Sequence, residues 1–376
     1  MIINKKNKKG ITIFMPTIEN GGIEKNLILL SNYLIKNEFD VKILCTSIST
    51  NVRLAIPNKV KLIRSKKYYK LNFFSKRISD TFNACIFIWR NKFLFKNTII
   101  LSLQSHYLAV IMSKIIKSKI ILRIANHPVG AVKFFQNKFE YNIKLFIKNL
   151  IYRYSDGIIS NSIESLNYFK NKKFRNKLIY IYNPIQRIKI HNKINKKNKK
   201  IILSIGRLEK QKNFIGLLKA IVIVKKKINN LKLIIVGSGS ELNSIKIFIN
   251  ENNLKKNVLL VGYKRSEKYF KNSGIFILNS LFEGLPNVLI EALTYKIPII
   301  STNCMSGPKE ILSNGKYGSL VPVNDHTALA KKIFITIKNY NYALEKSNKG
   351  FKSLSRFEYE KQCQKYLNFI KKIINI

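Results

Sequence analysis

Acidic residues are scarce in this 376-residue chain, where 19 Asp and Glu stand against 69 Lys and Arg for a formal net charge of +50. The Asp residues are Asp40, Asp80, Asp156 and Asp325, with no two close together. Cysteine is as thin: Cys45, Cys85, Cys304 and Cys363 are widely spaced and form no CxxC pair. That spacing points to neither a disulfide framework nor a thiolate zinc site, and it suits a reducing compartment. No HExxH or GxSxG occurs, so hydrolase readings lack a metal site and a nucleophile, and the absence of Gly-Lys-Ser/Thr excludes a P-loop. No uninterrupted apolar run reaches the roughly 18 residues that span a bilayer. The run from Ile11 to Met15 behind a basic start is too short for a signal-peptide core and stops at Pro16, so it reads as a first strand.

What is present is a hydrophobic content of 46%, enough for two α/β domains with separate cores. The positive charge must act on whatever anions the protein meets: nucleic acid, anionic lipid or phosphorylated substrates. Lys, Asn and Ile are enriched together along the whole chain, so part of that charge is compositional bias. No recognised nucleic-acid module appears.

Short β-rich apolar runs alternate with amphipathic stretches, the pattern of parallel sheets covered by helices. The strands expected in the first half are 11–15, 41–46, 98–103, 119–125, 157–162 and 178–182. Ile23, Leu27, Leu30 and Leu34 recur between them at helical spacing, as do stripes near 72–95 and 134–153. A basic, polar stretch at 186–200 has the composition of a connector. The pattern then restarts with strands at 201–206, 231–237, 257–262, 274–280, 297–302 and 319–323. The fold class is therefore α/β, with two doubly wound, Rossmann-like domains: residues 1–185, a linker at 186–200, and residues 201–355. Such domains bind ligands at the carboxyl ends of their strands, so the expected site is a cleft between the two.

Three motifs carry the chemistry. Phe282-Glu283-Gly284-Leu285-Pro286 follows a strand and leads into a helix holding Glu291. Pro286 suits a first helical turn, whose exposed amides attract an anion, and two carboxylates nearby suit the reading of vicinal hydroxyls. Arg207 and Lys212, in Gly206-Arg207-Leu208-Glu209-Lys210-Gln211-Lys212-Asn213, place two cations at a strand's carboxyl end, where they suit a diphosphate and the charge that grows on it. Gly21-Gly22-Ile23-Glu24 offers a close backbone approach at a helix start. Weaker signals are the Gly237-Ser238-Gly239 turn, read as a packing device, and Asn126-His127 after the strand 119–125, where side chains could hydrogen-bond a sugar.

Over nearly its whole length the sequence resembles the retaining glycosyltransferases of family four, which have the GT-B architecture. The motifs that carry the resemblance are FEGLP...EAL with its Glu-x7-Glu spacing, GRL-x2-QKN, GGxE and the Ser306-Gly307-Pro308-Lys309-Glu310-Ile311-Leu312 segment. The resemblance implies that Glu283 contacts donor-sugar hydroxyls, Glu291 the nucleotide ribose, and Arg207 with Lys212 the diphosphate. It implies backbone contacts from Phe282, Gly284 and Leu285, a phosphate-facing Gly22, and Tyr263 beside the base. Asn126 and His127 fall to the acceptor side, with His127 joining Glu283, Arg207 and Lys212 in catalysis. The C-terminal helix at 356–376 is assigned to the first domain. With no DxD pair among the Asp residues, transfer is expected to need neither metal nor cofactor. The resemblance implies as partners a nucleotide sugar, expected to be a UDP-sugar, and a lipid-linked or polysaccharide acceptor of the lipopolysaccharide or capsule type. A nucleotide-sugar epimerase of the same fold and a basic nucleic-acid-binding protein are the alternatives.

Residues 66–97 and 133–153 are rich in Lys, Arg and aromatics, as helices lying in a membrane interface are. They lead us to expect a cytoplasmic protein held peripherally at the inner, anionic face of the membrane.

Overall fold

The computed structural model describes residues 10–19, 21–64, 68–71, 75–96, 98–130, 137–174, 177–186 and 198–375. Most of the connector, at 187–197, lies outside the described residues, as do 65–67, 72–74, 97 and 131–136 within or beside the two basic aromatic stretches. The chain divides into two compact units, Met1–Gln186 with Phe357–Ile376, and Arg187–Arg356.

In the first unit the strands are β1 (Gly10–Phe14), β2 (Thr17–Ile18), β3 (Asp40–Leu44), β4 (Ser47–Ile48), β5 (Lys61–Ile63), β6 (Thr98–Ser102), β7 (Ile120–Ile124), β8 (Gly157–Ser160) and β9 (Lys177–Tyr180). The helices are α1 (Gly22–Lys36), α2 (Thr50–Ala55), α3 (Lys76–Arg90), α4 (His106–Ile115), α5 (Lys138–Tyr152) and α6 (Ile163–Asn171). Seven strands form a parallel sheet in the order β5-β3-β1-β6-β7-β8-β9, while β2 and β4 pair apart from it. All five residues of β1, β6 and β7 are buried, as strands covered on both faces must be. One face packs on α1 through Leu27, Leu30 and Leu34, and the other meets α3 and α4 through Ala84, Ile88, Ala109 and Val110.

The second unit has β10 (Ile201–Ile205), β11 (Lys232–Val236), β12 (Val258–Gly262), β13 (Ile275–Leu278), β14 (Ile299–Thr302) and β15 (Ser319–Val321). Its helices are α7 (Phe214–Lys225), α8 (Leu242–Glu251), α9 (Glu267–Asn272), α10 (Asn287–Thr294), α11 (Pro308–Ile311), α12 (His326–Lys338) and α13 (Tyr340–Lys352). The six strands lie parallel in the order β12-β11-β10-β13-β14-β15.

A last helix, α14 (Tyr359–Ile374), belongs to the first unit and packs beside α1. Its buried residues Cys363, Tyr366, Leu367, Ile370 and Ile373 follow helical spacing, and burying side chains of this size stabilises by about 1.5–3 kcal/mol each. Arg123 on β7, 1% exposed, fastens it. Its Nε donates to the Tyr366 hydroxyl at 2.9 Å and its Nη2 to Asn183 Oδ1. Lys119 Nζ donates to the Ile373 carbonyl at 2.9 Å, satisfying the helix C-terminus.

In both sheets the strand order reverses once, between β1 and β6 and between β10 and β13. Parallel sheets of this kind form a crevice at the carboxyl ends of such a strand pair. The loops after β10 and β13 therefore meet, and those loops contain Arg207, Lys212 and Glu283.

His106, at the start of α4, is half-buried: its Nδ1 lies 2.9 Å from Ser102 Oγ and its ring stands edge-on to Tyr152. Burial lowers its pKa from 6.5 to about 3. Above pH 6.5 the imidazole is neutral in folded and unfolded chains alike. Below it the unfolded chain takes a proton that the folded chain refuses until about pH 3, so stability should fall by about 1.4 kcal/mol per pH unit through that window. Urea unfolding from neutral pH down to about pH 4 checks this, and His106→Asn should flatten the slope by one proton.

Candidate functional site

The cation loop is shaped by its own residues. After β10 the chain passes exposed Arg207, buries Leu208 as a plug and makes a single turn at Lys210–Lys212. It closes on Asn213, in the left-handed conformation at φ 49°, which Asn tolerates better than most residues. The Asn213 side chain then caps α7 by accepting from the Gly216 amide at 3.2 Å. Beneath the loop lies the Gly237–Glu241 turn. Leu208 N donates to the Ser238 carbonyl at 2.9 Å and Ser240 Oγ to Glu209 Oε2 at 2.8 Å, while a Cβ on Gly237 would stand 1.8 Å from the Gly206 carbonyl oxygen.

Gln211 stitches this loop to the one that follows β13. Its main-chain carbonyl accepts from Leu281 N at 2.8 Å, and its side-chain amide donates to the Phe282 carbonyl at 2.7 Å. Asn279 adds a bond to the Asn213 carbonyl at 2.9 Å. So held, Lys212 forms an ion pair with Glu283, both side chains being largely buried at 15% and 7% exposure. The Ser280 hydroxyl donates to the same carboxylate oxygen, Glu283 Oε1, at 2.6 Å.

Glu283 N bonds the Met305 carbonyl at 3.3 Å, which brings the 306–312 segment alongside. Gly307 is in the left-handed region at φ 71°, and a Cβ there would lie 2.2 Å from the Gly284 carbonyl oxygen. Gly284 and Leu285 are buried, and Phe282 is half-buried. Pro286 stands just before α10 as its cap residue, with Asn287 opening the helix. Glu291 follows within α10, where its Oε2 accepts from Ser266 Oγ at 3.3 Å. Tyr263 is 59% exposed after β12. The second unit thus brings Lys212 and Glu283 into direct contact, ties Phe282 to the cation loop through Gln211, and carries Arg207 on the same loop as Lys212. Glu291 stands on the helix that follows, and Tyr263 is three residues from that helix's partner Ser266.

Gly22, Asn126 and His127 belong to the first unit. Gly22 opens α1, whose buried Glu24 accepts from Glu19 N at 3.2 Å, and burial raises the Glu24 pKa. Asn126 is exposed just after β7. His127 is 6% exposed, its ring edge-on to Tyr168 and its Nδ1 accepting from Val129 N at 3.3 Å, which leaves the ring proton of the neutral form on Nε2. Burial lowers the pKa of His127, so it is uncharged at neutral pH. Lys148 beside it has its pKa lowered by burial to about 8 and donates to the Pro128 carbonyl at 2.9 Å.

Sequence reasoning did not single out Gln211 or Ser280. Gln211 was legible as part of the QKN pattern and Ser280 as the end of an expected strand, but neither carries a motif for the bond it makes.

Two doubly wound units, one with a cation–carboxylate pair at its strand switch point, have the architecture of the GT-B fold. A TarM variant of S. aureus, solved with fondaparinux, alpha-GlcNAc-glycerol and UDP, has this fold: TM-score 0.77 at 15% identity over 96% of this chain and 99% of that one. Residues 186–353, nearly the whole second unit, match the family described as glycosyl transferases group 1. An uncharacterised glycosyltransferase of Methanocaldococcus jannaschii is 34% identical over 54% of this chain, which spans about half (53%) of that relative. The Campylobacter jejuni GalNAc-alpha-(1->4)-GalNAc-alpha-(1->3)-diNAcBac-PP-undecaprenol alpha-1,4-N-acetyl-D-galactosaminyltransferase is 25% identical over 97% of this chain and 99% of its own length.

Gly307→Ala is expected to destabilise the protein by about 1–3 kcal/mol, since it demands both a left-handed alanine and room beside the Gly284 carbonyl. Urea unfolding measures the loss. Glu283→Ala should cost about 3 kcal/mol or more by leaving the Lys212 ammonium without its partner, while Glu283→Gln should cost less.

Proposed function

We propose that the chain transfers a hexose or N-acetylhexosamine from a UDP-sugar to a lipid-linked or cell-surface glycan, with retention of anomeric configuration. The observation that carries the reading is the meeting of Lys212 and Glu283, a cation and a hydroxyl-reading carboxylate, at the switch point of a group 1 domain. UDP in the TarM structure and N-acetylgalactosamine in the name of the Campylobacter relative support the donor class. The diphospho-undecaprenol in that relative's name supports the acceptor class.

In this reading Arg207 and Lys212 take up the charge that develops on the departing diphosphate, a role fixed donors fill best where water is excluded. Glu283 orients the sugar, Glu291 the ribose, and Tyr263 lies beside the base. His127 donates through Nε2–H, and Asn126 joins it on the acceptor side. These cations are proposed to do the work that a metal ion does in other enzymes, so transfer should continue in EDTA.

A bound ligand present at 100 times its Kd raises stability by about 2.7 kcal/mol, so thermal unfolding across nucleotide sugars reads the donor directly. UDP-sugars are expected to raise the melting point. Lys212→Ala and Glu283→Ala are each expected to cut transfer by about 100-fold or more. Near-normal turnover in either variant, or no stabilisation by any UDP-sugar, would overturn the reading.

The first unit is proposed to dock on the inner, anionic membrane face. On α5, Phe139, Ile143, Phe146, Ile147 and Leu150 are all at least 41% exposed, and Lys144 rises beside them. No described helix is long and apolar enough to cross a membrane, so contact would be interfacial. Flotation with phosphatidylglycerol vesicles should recover the protein, and phosphatidylcholine vesicles should recover far less. Phe139→Ser with Phe146→Ser should lower the first, and equal recovery from both vesicles would count against docking.

A further inference from the structure

We propose that Ser280 is a positioning residue for the donor sugar, holding the Glu283 carboxylate in place once a diphosphate draws on Lys212. The inference rests on the donor site assigned above and concerns a residue that no motif marks.

Glu283 Oε1 accepts from two donors of different kinds, the Lys212 ammonium and the Ser280 hydroxyl, the latter at 2.6 Å. A diphosphate competes for the ammonium, because charge attracts charge, and each bond it takes weakens the hold of Lys212 on Glu283. It has no such claim on a hydroxyl that is 0% exposed behind the carboxylate. The donor that anchors Glu283 with ligand absent is therefore the one that ligand binding diverts, and Ser280 is the anchor that remains.

Ser280 is itself fixed. Its carbonyl accepts from Thr302 Oγ1 at 2.6 Å, on the neighbouring strand β14, and the residue before it bonds the Asn213 carbonyl. The hydroxyl thus cannot follow the carboxylate if the loop drifts, and it sets one orientation of Glu283. With Oε1 so engaged, Oε2 is left to accept from a sugar hydroxyl. Ser280 touches no substrate; it acts through Glu283.

The consequence separates the sugar from the nucleotide. UDP carries the diphosphate and ribose but no donor sugar, so its affinity should not depend on Ser280. The test is calorimetric titration of UDP, UDP-N-acetylgalactosamine and UDP-N-acetylglucosamine into the full chain and its Ser280→Ala, Ser280→Cys and Ser280→Thr variants, alongside kcat and KM for transfer. Ser280→Ala is expected to bind UDP within about twofold of the original chain but to lose roughly 10- to 100-fold in kcat/KM with the sugar nucleotide, the range of a hydrogen bond to a charged group. Ser280→Thr, which keeps a hydroxyl, should recover most of the loss, and Ser280→Cys should fall between. If the Ala variant does not fold, an intermediate loss of kcat/KM in Ser280→Cys with UDP affinity unchanged carries the proposal. Unchanged kcat/KM in Ser280→Ala, or equal losses of UDP and sugar-nucleotide affinity, would overturn it. Failure of the original chain to bind UDP or either sugar nucleotide would instead remove the donor-site assignment, and this proposal with it.

Discussion

The pairing of Lys212 with Glu283 links two loops that leave different strands of one sheet, and the rest of the second unit is arranged to keep it. Two buried charges lose their hydration, and that loss is recovered only if their geometry is held closely. Gln211 supplies the hold with two bonds to the facing loop, one from its backbone and one from its side chain. The Gly237 turn beneath and Gly307 beside it bring backbone to backbone, where any larger residue would push the loops apart. Rigid backbone contacts around a single ion pair leave little for ligand binding to organise.

That pair exists because of strand order. β10 and β13 are neighbours although the 69 residues 206–274, which include β11 and β12, lie between them in the chain. A parallel sheet that grows outward and then returns must leave two adjacent loops diverging to opposite sides, and the opening between them faces the carboxyl ends. The first unit repeats the topology at β1 and β6, and there too the glycine-led start of α1 and the half-buried His106 stand at the same end of the sheet.

Strands were readily legible because a parallel sheet buries both faces, so β1, β6, β7 and β13 appear as continuous apolar runs. The alternation of those runs with helical stripes indicated the α/β class. β2 and β4 are two residues each and β5 three, too short to show a period, and their existence depends on partners across the fold. Among the site residues, Lys212 and Glu283 were legible as motif members, but their contact across 71 positions was not. Ser280 was unreadable for the same reason: a serine at a strand end looks alike whether its hydroxyl meets a carboxylate or water. The tie between Arg123 and Tyr366 spans 243 positions and leaves no local trace.

That last tie bears on how the protein is made. Chains emerge N-terminus first, and domains commonly fold as they appear. Here the sheet of the first unit is synthesised early, yet the helix that covers Ile121, Ile159 and Ile181 arrives after the entire second unit. For that interval the nascent protein presents a greasy flank and a guanidinium still without its Tyr366 partner to the cell, so the portion translated first is the portion that matures last.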